Sequence, residues 1–159
     1  QRPTAAGSLG RGVGGRPGHL GATGGLSPAL GGVSRAHGVA RALGVRAIFA
    51  ERSGGTMLGL RRGFGLSPLD RVLVIEDVFT TGKSTRETMD LARAAGAEVV
   101  GAAAIVDRSG GSIDFGVPSH ALVRLSVPTY DSESCPLCAQ GIPVSKPGSR
   151  PDVEPNLRT

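Results

Sequence analysis

The sequence predicts an α/β domain in which helices flank a parallel β-sheet. Two apolar runs, at residues 71–77 and 98–107, are separated by a stretch of helical spacing, which is the alternation that parallel sheets require. Residues 72–75 are apolar at every position, as expected of a strand that is buried on both faces. The chain has 159 residues, the length of one domain. It contains no run approaching the ~20 apolar residues that span a membrane, so we expect no membrane partner.

The first elements of this domain are predicted within residues 27–60. Residues 27–33 have the composition of a Pro/Gly turn, and we expect order to begin there. Apolar or small residues recur at helical spacing over 33–43, and Gly44 follows in the usual C-cap place. Residues 45–51 are typical of a strand. A short apolar piece at 57–60 lies in a polar, hairpin-like stretch.

The second half of the predicted domain opens with the strand 71–77 and the polar loop 79–84. Ser84 and Glu87 fit the S-x-x-E capping box, so we expect Ser84 to cap a helix that stops at Gly96. Two more strands are predicted after this helix, at residues 98–107 and 121–127.

Charge and glycine are unevenly distributed along the chain. Residues 1–50 hold six arginines and no acid, whereas residues 51–159 hold twelve basic and thirteen acidic residues, which together give the net charge of +5. A basic balance favours nucleic-acid binding when it forms a patch on a domain. Here the excess of basic residues lies in the Gly-rich first part of the chain, and the rest of the chain is nearly neutral. We therefore expect no nucleic-acid partner.

The same distribution predicts three parts. Residues 1–26 are expected to be a Gly/Arg-rich leader that is disordered or artefactual, residues 27–144 to be the folded domain, and residues 145–159 to be a loose polar tail. The segment 19–26 is too glycine-rich for a central buried strand. The chain also begins at Gln1 rather than Met. We therefore expect a protein whose N-terminal part is incomplete or altered.

Cys135 and Cys138 form a single C-x-x-C motif. A disulfide framework needs more cysteines, which indicates an intracellular protein. One C-x-x-C supplies half of a four-thiolate zinc site, and a second chain could supply the other half. Two reduced thiols in a C-terminal loop are the simpler interpretation, and both stay open.

The loop that follows the strand 71–77 carries the chemistry. Glu76 and Asp77 are adjacent carboxylates at the strand end, and a turn before a helix offers backbone N–H groups to an anion. Thr80, Thr81 and Ser84 add hydroxyl donors. Carboxylates beside a phosphate would repel it unless they bind sugar hydroxyls or a magnesium ion shared with the ligand. The pattern therefore predicts a phosphorylated sugar as ligand.

Two other interpretations fit parts of this segment. Residues 82–84 match the end of a Walker A loop, but that motif needs a glycine at position 77, where the chain has Asp77. A P-loop ATPase is thus disfavoured. A plain surface turn with a capped helix stays open on these residues alone.

The sequence EDVFTTGKS, preceded by four apolar residues, resembles the signature of type I phosphoribosyltransferases that binds 5-phosphoribosyl 1-pyrophosphate (PRPP). Within that family the resemblance is greatest to orotate phosphoribosyltransferases, and it covers residues 27–144. Four further segments resemble family features: the pyrophosphate loop (27–33), the strand and mobile loop (47–64), the base-binding segment (105–111) and the C-terminal end of a bacterial and archaeal subgroup (135–143).

The resemblance implies a type I phosphoribosyltransferase fold and the transfer of phosphoribosyl from PRPP to orotate. The products would be orotidine 5′-monophosphate and pyrophosphate, as in pyrimidine biosynthesis. Magnesium would enter the site on PRPP, without a direct protein ligand. The resemblance also implies a homodimer, because the mobile loop of the family acts in the partner's site. It implies a cytoplasmic location as well.

The resemblance assigns roles to individual residues as well. Glu76 and Asp77 would lie under the ribose hydroxyls, and Arg52 at the start of the mobile loop would stabilise the leaving pyrophosphate; these three would be the catalytic residues. Thr80 and Arg108 would contact orotate. The implied PRPP site comprises Arg52, Glu76, Asp77, Val78, Phe79, Thr80, Thr81, Gly82, Lys83 and Ser84.

Three alternatives stay open. A purine-type phosphoribosyltransferase would share the signature, although Arg108 suits an anionic ring substituent such as a carboxylate. A regulator that binds PRPP without catalysis would need a partner or nucleic-acid surface. An altered N-terminal part would also be compatible with an inactive fragment that does not fold stably.

Overall fold

The computed structural model describes residues 20–29, 33–53, 57–128, 130–131 and 133–142. The predicted leader lies outside these residues except for its last seven positions, and the predicted tail lies outside them entirely. The chain divides into one compact unit that ends at Val127 and a second that begins at Pro128.

One mixed sheet forms the centre of the first unit. In the described part of the chain its strand order is β3-β2-β1-β4-β5-β6, and every neighbouring pair is parallel except β2 with β3. The predicted parallel α/β architecture is therefore confirmed. The strands are β1 (Gly24–Pro28), β2 (Arg46–Ser53), β3 (Met57–Leu60), β4 (Arg71–Phe79), β5 (Glu98–Asp107) and β6 (Ser119–Arg124).

Two helices cover the two faces of this sheet. They are α1 (Val33–Leu43) and α2 (Lys83–Ala94), and both contact β4. Successive side chains of a strand point to opposite faces, so β4 contributes to both layers. Its Leu73 and Ile75 belong to the buried cluster of α1, and its Val72 and Val74 to the cluster of α2. This double burial explains the unbroken apolar run at 72–75.

The β1 strand corrects a prediction made from composition. Residues 19–26 were expected to be too glycine-rich for a buried strand, but Gly24, Gly25 and Leu26 pair with both β2 and β4. Leu26 is fully buried. The predicted turn at 27–33 also starts later, because its first two residues continue β1.

The close approach of Ile75 explains why glycine suits position 25. A Cβ atom built on Gly25 would lie 2.7 Å from Ile75 Cδ1 and 3.6 Å from Ala40 Cβ. Ile75 is buried, so its end would have to shift within packed surroundings to admit a larger side chain at position 25. The glycine therefore accommodates packing between the sheet and α1, rather than marking a missing side chain.

We expect Gly25→Val to lower the free energy of unfolding by about 1–3 kcal/mol, because the larger side chain overpacks this layer. Chemical denaturation would measure the change. Gly59→Val is the matched control, since Gly59 also lies in a strand and a Cβ there meets no atom within 4 Å. Equal stability of the two variants would contradict the packing argument.

The strand β6 is displaced from its predicted position. It runs from Ser119 to Arg124 rather than over 121–127, because it pairs in parallel with the middle and end of β5. It lies at the edge of the sheet and is largely exposed. In the second unit, Pro136–Ala139 forms a short helix, α3. None of the described helices is long and apolar enough to span a membrane.

Candidate active site

The topology places a crevice at the carboxyl ends of β1 and β4. The chain leaves β1 through α1 toward β2, and leaves β4 through α2 toward β5, so the two connections run to opposite sides. In doubly wound sheets, ligands bind at this switch point. The polar loop that follows β4 lies at this edge. The loop after β1 falls at residues 30–32, which are outside the described residues.

Glu76 is a buried carboxylate under this loop. It is 6% exposed, and its Oε1 atom accepts a hydrogen bond from the Ser84 hydroxyl. Burial raises the pKa of Glu76 above its ordinary value, and the bond from Ser84 opposes only part of that rise. The site therefore holds a carboxyl group whose charge is disfavoured until a ligand or cation compensates for it.

The same contact corrects the predicted capping box. Ser84 lies inside the first turn of α2, whose N-cap is Gly82 and has no side-chain capping bond. Ser84 instead turns toward Glu76, eight residues earlier, and Glu87 pairs with Arg52. Local spacing suggested a cap, but the strand below the helix offered Ser84 a buried acceptor.

The loop between β4 and α2 presents exposed hydroxyl groups. Thr80 and Thr81 are exposed, as is Lys83. Thr81 Oγ1 accepts a long 3.4 Å hydrogen bond from the backbone N–H of Lys83. Asp77 is half-buried beneath this loop and accepts a 2.9 Å bond from the N–H of Val78. The loop thus combines hydroxyls and a helix N-terminus, which together suit an anion.

Gly82 allows this loop to turn tightly. Its φ is +74°, in the left-handed region that side chains disfavour. A Cβ on Gly82 would also lie 2.8 Å from both Arg86 Nη1 and Phe115 Cε1. Both the backbone angle and the packing therefore require glycine here.

Arg86 is a site residue that sequence reasoning missed. Its Nη1 donates to the Thr81 carbonyl at 3.4 Å, and its Nη2 donates to the Asp114 carbonyl at 2.6 Å. Its guanidinium lies 5.2 Å from the centre of the Phe115 ring. The side chain thereby ties the anion loop to the loop after β5. Because two of its partners lie about 28 residues away, local sequence carried no signal for it.

Arg108 lies beside the anion loop. Its backbone N–H donates to the carbonyl of Phe79 at 2.8 Å, and Phe79 pairs with Asp107 across β4 and β5. Thr80 and Arg108 therefore follow neighbouring strand ends. The side chain of Arg108 is exposed. The structure thus brings the two predicted base-contacting residues to the same edge of the sheet.

Asp107 organises the segment that carries Arg108. It is 5% exposed and accepts hydrogen bonds from the N–H and hydroxyl of Ser109, at 2.8 and 2.6 Å. Arg124 Nε lies 3.3 Å from its other oxygen. Burial alone would raise the pKa of Asp107, but the Ser109 bonds and the Arg124 charge outweigh it and lower the pKa.

Arg52 lies near the carboxyl end of β2, where the antiparallel β2–β3 hairpin begins. It forms an ion pair with Glu87 of α2. The tip of the predicted mobile loop, residues 54–56, lies outside the described residues. The structure therefore places the base of that loop against the helix that follows the anion loop.

Two other features bear on what the site can bind. The described residues contain no group of three or more His, Cys, Asp or Glu side chains arranged to hold a metal ion. A small pocket opens between the ends of β4, β5 and β6, with Asp107, His120 and Arg124 in its wall. Its lining does not include residues 80–84, so we assign no substrate to it.

The sequence matches a family model described as the phosphoribosyl transferase domain over residues 26–114. This range includes β4, the anion loop, α2 and β5, and it is more than half of the chain. The chain belongs to the phosphoribosyltransferase family. The predicted resemblance and the predicted type I fold are both confirmed.

Curated relatives of this phosphoribosyltransferase agree with the narrower resemblance. A protein of Carboxydothermus hydrogenoformans named orotate phosphoribosyltransferase is 58% identical over 125 residues, which are 79% of this chain and 65% of that protein. An orotate phosphoribosyltransferase of Thermotoga maritima is 54% identical and is covered to 66%. The chain thus spans slightly less than two thirds of the length of these relatives.

Solved structures resemble this phosphoribosyltransferase in fold. Orotate phosphoribosyltransferase from Aeropyrum pernix matches with a TM-score of 0.61 at 26% identity, covering 76% of this chain and 70% of that one. The Mycobacterium tuberculosis orotate phosphoribosyltransferase in complex with PRPP matches with a TM-score of 0.62 at 26% identity, with 76% and 74% covered. An adenine phosphoribosyltransferase from Rhodothermus marinus has a TM-score of 0.63 at 21% identity, covering 76% of this chain and 77% of that one, which supports the fold alone.

Proposed function

We propose that this phosphoribosyltransferase transfers phosphoribosyl from PRPP to orotate, forming orotidine 5′-monophosphate and pyrophosphate. The observation that carries the proposal is the anion loop directly above buried Glu76, in a chain whose curated relatives are named orotate phosphoribosyltransferases. Backbone and hydroxyl donors suit a phosphate, and carboxylates suit the hydroxyl groups of the sugar attached to it.

In the proposed reaction, residues 80–84 hold the 5′-phosphate through backbone N–H groups and hydroxyls. Glu76 and Asp77 face the ribose hydroxyls from below. Positive charge develops at the anomeric carbon as pyrophosphate leaves, and preorganised carboxylates stabilise such charge. Buried Glu76 suits this role, because a carboxylate in a poorly solvated site interacts strongly with a developing cation.

We propose that Ser84 changes partner when the substrate binds. In the structure the Ser84 hydroxyl donates a hydrogen bond to Glu76. A phosphate in the loop would compete for that hydroxyl, and the ribose hydroxyls would replace it at Glu76. Each group would then exchange one hydrogen-bond partner for another, so neither is left unsatisfied in a buried site.

Magnesium fits this site as an ion that PRPP brings with it. The described residues place two adjacent carboxylates here, and Glu76 accepts a hydrogen bond from Ser84. They contain no group of three or more His, Cys, Asp or Glu side chains that could hold a metal ion. Mg²⁺ commonly keeps several water molecules and binds substrate phosphates with few protein ligands. When bound, it would neutralise charge on the leaving pyrophosphate. The residues of the chain then need to orient the ribose rather than to hold the ion.

The remaining proposals concern orotate and the dimer. Arg108 would donate to the orotate carboxylate in a forked pair, and Thr80 would donate a hydrogen bond to the same ligand.

Arg52 would act on the pyrophosphate in the partner's site of a cytoplasmic homodimer. Its ion pair with Glu87 would have to open for that movement. An exposed pair of this kind contributes only about 0–1 kcal/mol, so opening it is easy.

Arg108→Gln should raise the KM for orotate by about tenfold or more while the KM for PRPP changes little, because a charged hydrogen bond contributes about 1.5–3 kcal/mol. Steady-state kinetics with each substrate varied would measure both constants. Arg93→Gln is the matched control, since Arg93 is an exposed arginine near the end of α2. Parallel increases in both KM values would argue against a specific contact with orotate.

The proposed function is tested by following the loss of orotate absorbance in the presence of PRPP and magnesium. Thermal melts of the same sample would report PRPP binding, since a ligand at 100 times its dissociation constant stabilises a folded site by ~2.7 kcal/mol. A raised midpoint together with orotate consumption supports the proposal. A raised midpoint with turnover of adenine or another purine, and not of orotate, would assign the chain to the purine alternative.

A further inference from the structure

The second unit contains a pair of cysteines within one short helical turn. Cys135 precedes the short helix α3, with Pro136 at its first position. The backbone N–H of Cys138 donates to Cys135 Sγ at 3.3 Å, which places the Cys135 sulfur beside the start of residue 138. This geometry is independent of the anion loop, and nothing in the proposed transfer reaction uses it.

The backbone holds this arrangement in one closed turn. The N–H of Ala139 donates to the carbonyl of Cys135 at 3.1 Å, and the N–H of Gly141 donates to the carbonyl of Cys138 at 3.0 Å. Gly141 has a φ of +72°, which ends the turn. These bonds hold Cys135 and Cys138 three residues apart in one closed turn, a spacing at which the two side chains lie on the same side of the turn.

The two thiols are chemically unequal. Bonds from the N–H and thiol of Cys138, together with the N–H of Leu137, lower the pKa of Cys135. The pKa of Cys138 is raised, because its proton is held in the bond to Cys135. Cys138 is exposed and Cys135 is partly exposed, so a small reagent has access to both. A nucleophilic thiol beside a second thiol is the arrangement of reversible dithiols.

We propose that Cys135 and Cys138 are a reversible dithiol–disulfide pair that reacts with small-molecule disulfides. The thiolate of Cys135 attacks one sulfur of the reagent, forming a mixed disulfide and expelling one thiolate. Cys138 then loses its proton to water and attacks the Cys135 sulfur, and the second thiolate leaves. In total, two protein thiols are oxidised to one disulfide, and the reagent is reduced to two thiols.

A metal site is the other use of such a pair, and the described residues favour it less. Tetrahedral zinc needs four ligands in a structural site. One chain offers two thiolates here, and no third His, Cys, Asp or Glu of the described residues joins them. An intramolecular disulfide needs no further group.

The test treats the full reduced chain with oxidised glutathione and follows intact mass and peptide maps over time. The wild-type chain should lose the mass of two hydrogen atoms and contain a Cys135–Cys138 disulfide. Cys138→Ser should accumulate one glutathionyl group on Cys135, because no second thiol resolves the intermediate. Cys135→Ser should react at Cys138 about tenfold more slowly, since among the described residues no backbone N–H bond of the kind that favours the Cys135 thiolate supports Cys138.

Denatured samples of both single variants provide the control for the folded geometry, because their rates should become similar once the turn is lost. Glutathionyl groups on both wild-type cysteines without an internal disulfide would overturn the proposal, as would equal rates for the two folded variants. The reduced chain is also incubated with zinc before oxidation. One tightly bound zinc per two chains, protecting both thiols from glutathione, would likewise overturn the proposal in favour of a shared metal site.

Discussion

Gly82→Ala is expected to lower the free energy of unfolding by about 2–4 kcal/mol and the transfer activity by about 100-fold. The left-handed φ of +74° accounts for about 1–2 kcal/mol of the stability change. The rest follows from overpacking, since the new Cβ would lie 2.8 Å from Phe115 Cε1. Activity falls because Arg86 and the loop must shift, and a displacement of about 1 Å at a binding loop can cost that much.

Gly116→Ala separates these two contributions. Gly116 also has a positive φ, of +69°, but a Cβ there meets no atom within 4 Å. This variant should lose stability through backbone strain alone and keep its activity within a few-fold. Denaturant titrations and steady-state rates for both variants would measure the difference. If Gly116→Ala impaired activity as severely as Gly82→Ala, the contact with Arg86 and Phe115 would not explain the loss.

Glu76→Gln is expected to reduce transfer activity by about 100-fold or more, while making the fold more stable at neutral pH. The amide keeps an oxygen that accepts the Ser84 hydroxyl bond. It removes the negative charge that would stabilise the developing cation, an electrostatic contribution of this order in enzyme sites. Stability should rise because the Ser84 hydrogen bond offsets only part of the cost of burying the Glu76 charge.

The raised pKa of Glu76 also predicts how the free energy of unfolding changes with pH. Because the pKa of Glu76 is raised in the folded state, the folded chain binds more protons than the unfolded chain between the two pKa values. The free energy of unfolding therefore decreases as pH rises through that interval, and this decrease should be absent in Glu76→Gln. Asp70 accepts hydrogen bonds from Ser67 and pairs with Arg46, and these contacts outweigh the effect of burial and lower its pKa. The lowered pKa values of Asp70 and Asp107 act oppositely to that of Glu76, with stability lost as pH falls through their folded-state values.

Denaturant titrations at several pH values, together with activity assays, would measure both effects. Asp90→Asn is the control, because Asp90 is an exposed acid on α2 paired only weakly with Arg93. It should leave stability within about 0.5 kcal/mol and activity close to wild type. Loss of stability in Glu76→Gln at neutral pH would contradict the view that the charged form is disfavoured.

The sequence was a good guide wherever a single local pattern controlled the structure. The helix at 33–43 and the strand at 98–107 were predicted with the bounds that the structure has. The apolar run at 72–75 indicated a strand buried on both faces, and both helices pack against it. Local patterns were sufficient here because the period of the side chains determines which faces are buried.

Local patterns failed where a distant partner controls the conformation. The glycine content of residues 19–26 argued against a buried strand, but Ile75 and Ala40 lie where a side chain at Gly25 would have to fit. Ser84 fitted a capping box, but a buried carboxylate eight residues earlier took its hydroxyl. In each case the competing group lies on another element, where spacing along the chain gives no indication of it.

By itself, therefore, the sequence determined the α/β class, the buried strand β4, the anion loop after it and the family to which the chain belongs. Only the tertiary structure decided how these parts are fastened together. Arg86 connects the anion loop to the loop after β5, and Asp107 anchors the segment that carries Arg108. These contacts join residues that are remote in sequence or depend on burial, so they arise only when the sheet has brought the strand ends to one edge.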